Sequence, residues 1–219
     1  MPTTLITGAN RGIGLELARQ FSARGDDVIA VCRSTSDALD GLGVRVESGV
    51  DVTDAESLQR LASSIDGPID VLVNNAGILS VERLGELDFD GIRRQFEVNA
   101  MGPLRVTEAL NDRLSAGAKV AIITSRMGSI ADNTSGSMYG YRMSKAAVNA
   151  AGKSLALDLA DRGIAVALLH PGYVQTDMTR GRGDVDADHA AAGLIARLDA
   201  LTPANSGSFW HANGDILPW

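Results

Sequence analysis

The chain has 219 residues, a hydrophobic content of 45% and a net charge of −7, enough to build one domain, 1–219, around a single core. That acidity, with no basic run, argues against nucleic acid or an anionic membrane as a partner. Met1-Pro-Thr-Thr lacks a signal peptide's charged start, and no apolar stretch approaches the ~20 residues of a membrane span, so the expected location is cytoplasmic.

The first predicted unit is a short buried strand, Thr3 to Thr7, running into Gly8-Ala-Asn-Arg-Gly12-Ile-Gly14. Leu15, Leu17, Ala18 and Phe21 then recur at helical spacing. Glycines let a backbone turn tightly and approach a pyrophosphate, and the unpaired N–H groups of a helix's first turn attract an anion. Strands follow at Asp27 to Cys32 and Val44 to Val50, a helix at Ala55 to Ile65 and a strand at Ile69 to Asn74. One long helix is expected from Phe89 to Leu114, then a strand at Lys119 to Thr124, a helix at Tyr141 to Arg162, a strand at Ile164 to His170 and a helix at Ala187 to Leu201. Strands such as Val120 to Ile123 are apolar throughout, which suits burial on both faces. The alternation predicts an α/β fold of Rossmann type, a doubly wound parallel sheet with helices on both faces. Cys32 is the lone cysteine, and His170, His189 and His211 lack ligand-like spacing, so no metal site is expected.

Tyr141-Arg-Met-Ser-Lys145 places a phenol and an ammonium one helical turn apart on one face. A neighbouring cation favours the phenolate, which predicts that Lys145 lowers the Tyr141 pKa toward usable acid–base chemistry. Asn99 precedes Pro103 by four residues. Proline has no N–H, so within a helix the Asn99 carbonyl lacks its normal partner. A plain kink, with Asn99 as polar surface, is the alternative reading.

Thr7-Gly8-x3-Gly12-x-Gly14, Asp51-Val52, Asn74-Asn-Ala-Gly77, Asn99, Ser125, Tyr141-x3-Lys145 and Pro171-Gly172 together resemble the short-chain dehydrogenase/reductase family. Tyr139-Gly-Tyr-Arg-Met-Ser-Lys145 and His170-Pro-Gly-Tyr-Val-Gln-Thr-Asp177 look most like its carbonyl-reductase-like subgroup, which contains the bacterial C-factor and the insect protein sniffer. The resemblance implies that Tyr141 is the general acid for ketone or aldehyde reduction, that Lys145 tunes it and holds the nicotinamide ribose, and that Ser125 holds the substrate oxygen. It also implies that the Asn99 carbonyl holds a relay water. An N-cap role is the alternative for Ser125. For the cofactor, it implies contacts from Gly8, Asn10, Arg11, Gly12, Ile13 and Gly14, from Asp51 and Val52 at the adenine, and from Asn75, Ala76 and Gly77 at its ribose. Val174 and Thr176 would hold the carboxamide, and Pro171 and Gly172 would also meet the cofactor, with a plain turn as their alternative role.

Charge speaks to the cofactor type. NAD sites of this architecture usually carry an acid about 20 residues beyond the glycines, but here the second strand ends in Val31-Cys32-Arg33. Arg33 and Arg11 suit a 2′-phosphate, so the expected cofactor is NADP(H). An NAD-dependent secondary alcohol dehydrogenase and a signalling protein that retains a nucleotide site remain alternatives. Tyr173 to Asp188, rich in glycine and charge without apolar periodicity, is read as a lid or a passive loop. The Tyr141 helix is apolar around more than one face, which predicts a homodimer or homotetramer. The expected substrate is a small carbonyl compound or alcohol.

Overall fold

A computed structural model describes residues 1–219. Its centre is a seven-stranded parallel sheet of β1 (Thr3–Thr7), β2 (Asp27–Val31), β3 (Arg45–Glu47), β4 (Ile69–Asn74), β5 (Leu114–Ile123), β6 (Ala165–His170) and β7 (Ser208–His211). The strand order is β3-β2-β1-β4-β5-β6-β7. The chain winds outward from β1 to β3, returns to lay β4 on the other edge of β1, and continues outward to β7. The reversal at β1 and β4 opens a crevice beyond their carboxyl ends, where folds of this kind receive ligands.

The helices are α1 (Gly12–Ala23), α2 (Asp37–Asp40), α3 (Ala55–Ser64), α4 (Phe89–Phe96), α5 (Gly102–Ala109), α6 (Tyr139–Asp158) and α7 (Ala187–Asp199). Alternate residues of each strand feed two cores. Val120 and Ile122 join Val148 and Ala156 of α6 in one; Ala121 and Ile123 join Leu17 and Phe21 of α1 and Leu194 of α7 in the other. Two-sided burial explains why these strands read as unbroken apolar runs. No helix is long and apolar enough to cross a membrane.

Several expected boundaries move. The helix expected from Phe89 to Leu114 is α4, a π-helical turn at Glu97–Met101, then α5 and a 3-10 turn at Asn111–Arg113. The π turn is the physical answer to Pro103: widening the coil, with Gly102 N–H bonded to the Glu97 carbonyl, admits a residue that cannot donate. β5 begins at Leu114, five residues earlier than expected, behind a register shift against β4. β3 keeps only Arg45–Glu47 of the expected Val44 to Val50, although Gly49 and Val50 still donate to Arg33 and Cys32. α6 starts two residues early, and its expected last turn is 3-10, stopped by Gly163 at φ 69°. Neither α2 nor β7 is expected from the sequence.

Candidate active site

The glycine turn is shaped by what lies against it. At Gly14 a Cβ would stand 2.2 Å from the Gly8 carbonyl oxygen and 2.5 Å from Asn75 Nδ2, so the turn folds directly onto the β4 end. Gly12, at φ 54°, opens α1; an added Cβ there would meet only Thr176, with Cγ2 at 3.4 Å. Arg11, the N-cap, offers no side-chain bond, which leaves the first-turn N–H groups of α1 facing the crevice without a side-chain acceptor. An anionic pyrophosphate fits that cradle. Ile13, partly buried, packs against the core beneath. Asn10 ties the glycine turn to the neighbouring loop. Its Nδ2 donates to the Ser34 carbonyl and its own carbonyl accepts from Ser36 Oγ, which fixes the turn after β2.

The Asn74-Asn-Ala-Gly77 stretch couples strand ends. Thr7 Oγ1 accepts the N–H groups of Asn75 and Ala76 at 3.0 and 3.2 Å, while Asn75 Nδ2 donates to the carbonyls of Thr7 and Gly8. Gly77 stands beside Asn99 Oδ1 and Lys145 Nζ. Asp51 accepts from the Thr53 N–H and hydroxyl; these bonds, with the Arg33 charge, hold its carboxyl below the usual range against the opposing effect of burial. Val52 beside it is buried against Gly102. Arg33 is exposed, and Arg11 makes only an exposed 3.4 Å ion pair with Asp177.

Ser125, Tyr141 and Lys145 come together where β5 ends. Ser125 caps the 3-10 turn Arg126–Gly128, accepting from the Met127 N–H at 3.1 Å. The N-cap role is therefore real, but it engages only the oxygen's lone pair and leaves the proton for another acceptor. The neighbouring hydroxyl, Thr124, donates to Asn149 Oδ1 at 2.7 Å. Gly128 lets this turn rest on α6, since a Cβ would meet the Lys145 main chain at 2.7 Å.

The expected lowering of the Tyr141 pKa is not what this geometry gives. Burial pushes the phenol up to about 12, and the Ser125 hydroxyl pulls the other way. Lys145 Nζ lies 5.7 Å from the Tyr141 ring centre and donates instead to the Ile123 carbonyl at 2.7 Å, while burial lowers its own pKa to about 8. Desolvation is the main cause of both shifts.

Asn99 lies inside the π turn and is only 1% exposed, which rules out the surface reading. Its side chain carries the visible contacts: Oδ1 accepts from Ile78 N–H, and Nδ2 donates to the Ile78 carbonyl and to Ser144 Oγ. Ser144 in turn donates to the Tyr141 carbonyl at 2.8 Å.

After β6, Pro171 leads to Gly172 at φ 95°, close to His211. Tyr173 to Asp188 is folded on itself: Val174 is buried, Gln175 N–H reaches the Val185 carbonyl, and Thr176 and Thr179 cap a 3-10 turn. Sequence reasoning missed the partners beneath the site. Glu82 and Gln95 are buried polar residues indistinguishable in sequence from surface ones. His170 and His211 meet edge to face at 4.9 Å, and His170 is held neutral, its pKa pushed down to about 3 mainly by burial and further by His211, Arg126 and Lys145.

The same residues fall within a known family, whose model, described as short chain dehydrogenase, matches residues 2–186. The chain belongs to the short chain dehydrogenase family. Among curated members of that family it is 46% identical over the full length of both chains to a Rhodococcus sp. (strain AD45) protein named 1-hydroxy-2-glutathionyl-2-methyl-3-butene dehydrogenase. It is also 47% identical to C-signal of Myxococcus xanthus, over 70% of this chain and 94% of that one. Among solved structures it matches the NADPH-bound carbonyl reductase from chicken fatty liver with a TM-score of 0.92 and 28% identity, covering 100% of this chain and 99% of the other. The family and the carbonyl-reductase-like neighbourhood expected from the sequence are thus both found.

Proposed function

We propose that this short chain dehydrogenase is an NADP(H)-dependent carbonyl reductase that converts a small ketone or aldehyde to the alcohol, reversibly. The observation that carries the reading is the meeting of Ser125, Tyr141 and Lys145 beside the glycine turn. When bound, the reduced dinucleotide supplies the hydride that the carbonyl carbon accepts. Tyr141, with its pKa about 12, is protonated at neutral pH and gives its proton to the carbonyl oxygen. The Ser125 hydroxyl, its oxygen already engaged by Met127 N–H, donates to that same oxygen. Lys145 holds the ribose and stabilises the phenolate left behind, and Asn99 supports the proton path behind it.

The cradle at Gly8, Gly12 and Gly14 takes the pyrophosphate, Asp51, Val52, Asn75, Ala76 and Gly77 surround the adenosine, and Arg11 and Arg33 meet a 2′-phosphate. The NADPH in the chicken carbonyl reductase supports this assignment. The 173–188 segment acts as a lid, with Val174 and Thr176 near the carboxamide. Met143, Ala150 and Leu157 remain exposed on α6, which suits a homodimer or homotetramer, and we assign the enzyme to the cytoplasm.

The test is a panel of ketones, aldehydes and alcohols, including a glutathionyl alcohol suggested by the name of the Rhodococcus relative. NADPH and NADH turnover are followed separately, with Tyr141→Phe as control. NADPH-dependent turnover that falls about 10²-fold or more in the control supports the reading. Preference for NADH points to the NAD-dependent alcohol dehydrogenase, and nucleotide binding without turnover points to the signalling role named by C-signal.

A further inference from the structure

The N-terminus of α6 carries Tyr141 on its first turn, yet it has no cap of its own. Met138 occupies the cap position in the left-handed region, at φ 53°, without a side-chain bond, and Ser137 before it is also left-handed at φ 52°. An uncapped 20-residue helix leaves its first N–H groups unpaired where its dipole is most positive. The partner comes from a loop 58 residues away: Glu82 Oε2 accepts the Gly140 N–H at 3.1 Å, and the Glu82 main-chain carbonyl accepts the Met138 N–H at 2.9 Å.

Glu82 is only 2% exposed and no cation pairs with it. Its other oxygen, Oε1, accepts from Gln95 Nε2 and Ser80 Oγ, at 2.6 and 2.5 Å. Gln95, itself fully buried, is oriented by the Ser80 N–H on its Oε1. Every group facing the carboxylate donates to it, and two of them, the Gly140 N–H and Gln95 Nε2, cannot accept, so an amide at position 82 would set N–H against N–H on one side or the other. Gly140 leaves room for this arrangement, since a Cβ would stand 2.3 Å from Gln95 Nε2. One turn further on, Asn99 grips the same helix through Ser144.

We propose that Glu82 is a positioning residue for the reaction: it caps α6 from outside the helix and fixes the Tyr141 phenol against Ser125. The proposal rests on the carbonyl-reductase reading, because what Glu82 places is the proton donor of that reaction. Its effect belongs chiefly in kcat, since the glycine cradle that takes the pyrophosphate is formed by other elements and Lys145, which holds the ribose, has its own anchor on the Ile123 carbonyl.

Glu82→Gln should lower kcat roughly tenfold or more while the nucleotide KM stays near its original value. Amide hydrogen exchange at Gly140 and Tyr141 should quicken. The exchanged pair Glu82→Gln with Gln95→Glu restores a donor to every acceptor: the new carboxylate accepts from Ser80 N–H and the new amide, whose oxygen accepts Gly140 N–H. It should recover most of the lost kcat and of the slow exchange, even where the single variant is too unstable to purify. An unchanged kcat and unchanged Gly140 exchange in the single variant would overturn the proposal, as would an exchanged pair no better than the single change. If the natural protein turns over no carbonyl, the functional reading fails, while the exchange measurements still decide whether Glu82 holds the helix.

Discussion

Lys145 Nζ donates to the Ile123 carbonyl across 2.7 Å, joining the Tyr141 helix to the last residue of β5. The bond anchors an ammonium only 4% exposed, on the helix whose Tyr141 phenol meets the Ser125 hydroxyl. The cost is desolvation, and it gives the first prediction its sign.

In the folded protein burial lowers the Lys145 pKa from 10.5 to about 8, so between these values the unfolded chain binds more protons and stability rises with pH. Tyr141, raised from 10.0 to about 12, acts oppositely, and stability falls as pH climbs through that window. Urea midpoints measured across this range should therefore rise from about pH 8 to pH 10 and decline above. Lys145→Met should remove most of the rise, leaving the share of Lys119, whose pKa burial also lowers, and keep the decline; a rise of undiminished size in the variant contradicts the assignment.

Replacing Arg33 with Ala removes one of two exposed cations near the proposed 2′-phosphate. Steady-state kinetics should show the NADPH KM rising about tenfold or more, in line with the loss of a charge-assisted bond, while the NADH KM hardly moves. Equal changes for both nucleotides would leave Arg33 without a phosphate role.

Gly14→Ala drives a methyl to within 2.2 Å of the Gly8 carbonyl, a main-chain atom with little room to retreat. Thermal unfolding should register a loss of about 1–3 kcal/mol, and nucleotide affinity should fall with it. Gly67→Ala, where no atom lies within 4 Å of the added carbon, serves as the neutral comparison.

Asn99→Ala strips partners from both main-chain groups of Ile78 and from Ser144. A buried donor or acceptor left unpaired costs about 1–3 kcal/mol. Denaturation should show a loss of at least that size, together with a reduced kcat, because Ser144 is the contact to the Tyr141 carbonyl. Reduced stability with kcat intact would restrict Asn99 to a structural role.

Much of this arrangement is legible in the sequence for a physical reason: strands buried on both faces must be apolar throughout, and a backbone that approaches a phosphate needs glycine. Gly8 to Gly14 and Tyr141 to Lys145 are short, contiguous patterns whose spacing maps directly onto one turn or one helix face. Periodicity carries no mark of a π turn, so 89–114 reads as one helix even though Pro103 points to the irregularity. β7 is four residues at the sheet edge, too short to show a period. The Lys145–Ile123 bond and the Glu82–Gln95 pair depend on tertiary neighbours, and desolvation, which decides the Tyr141 pKa, exists only once the chain has folded.

The placement of β1 between β2 and β4 bears on synthesis. Thr4 pairs with Val71, so a growing chain must expose some seventy residues before the first strand gains its second neighbour. Until then one edge of β1 is bare, and the Thr7 hydroxyl has none of its contacts with Val73, Asn75 and Ala76. The nucleotide cradle, although encoded between Gly8 and Gly14, is completed only after Asn75 and Ala76 have left the ribosome.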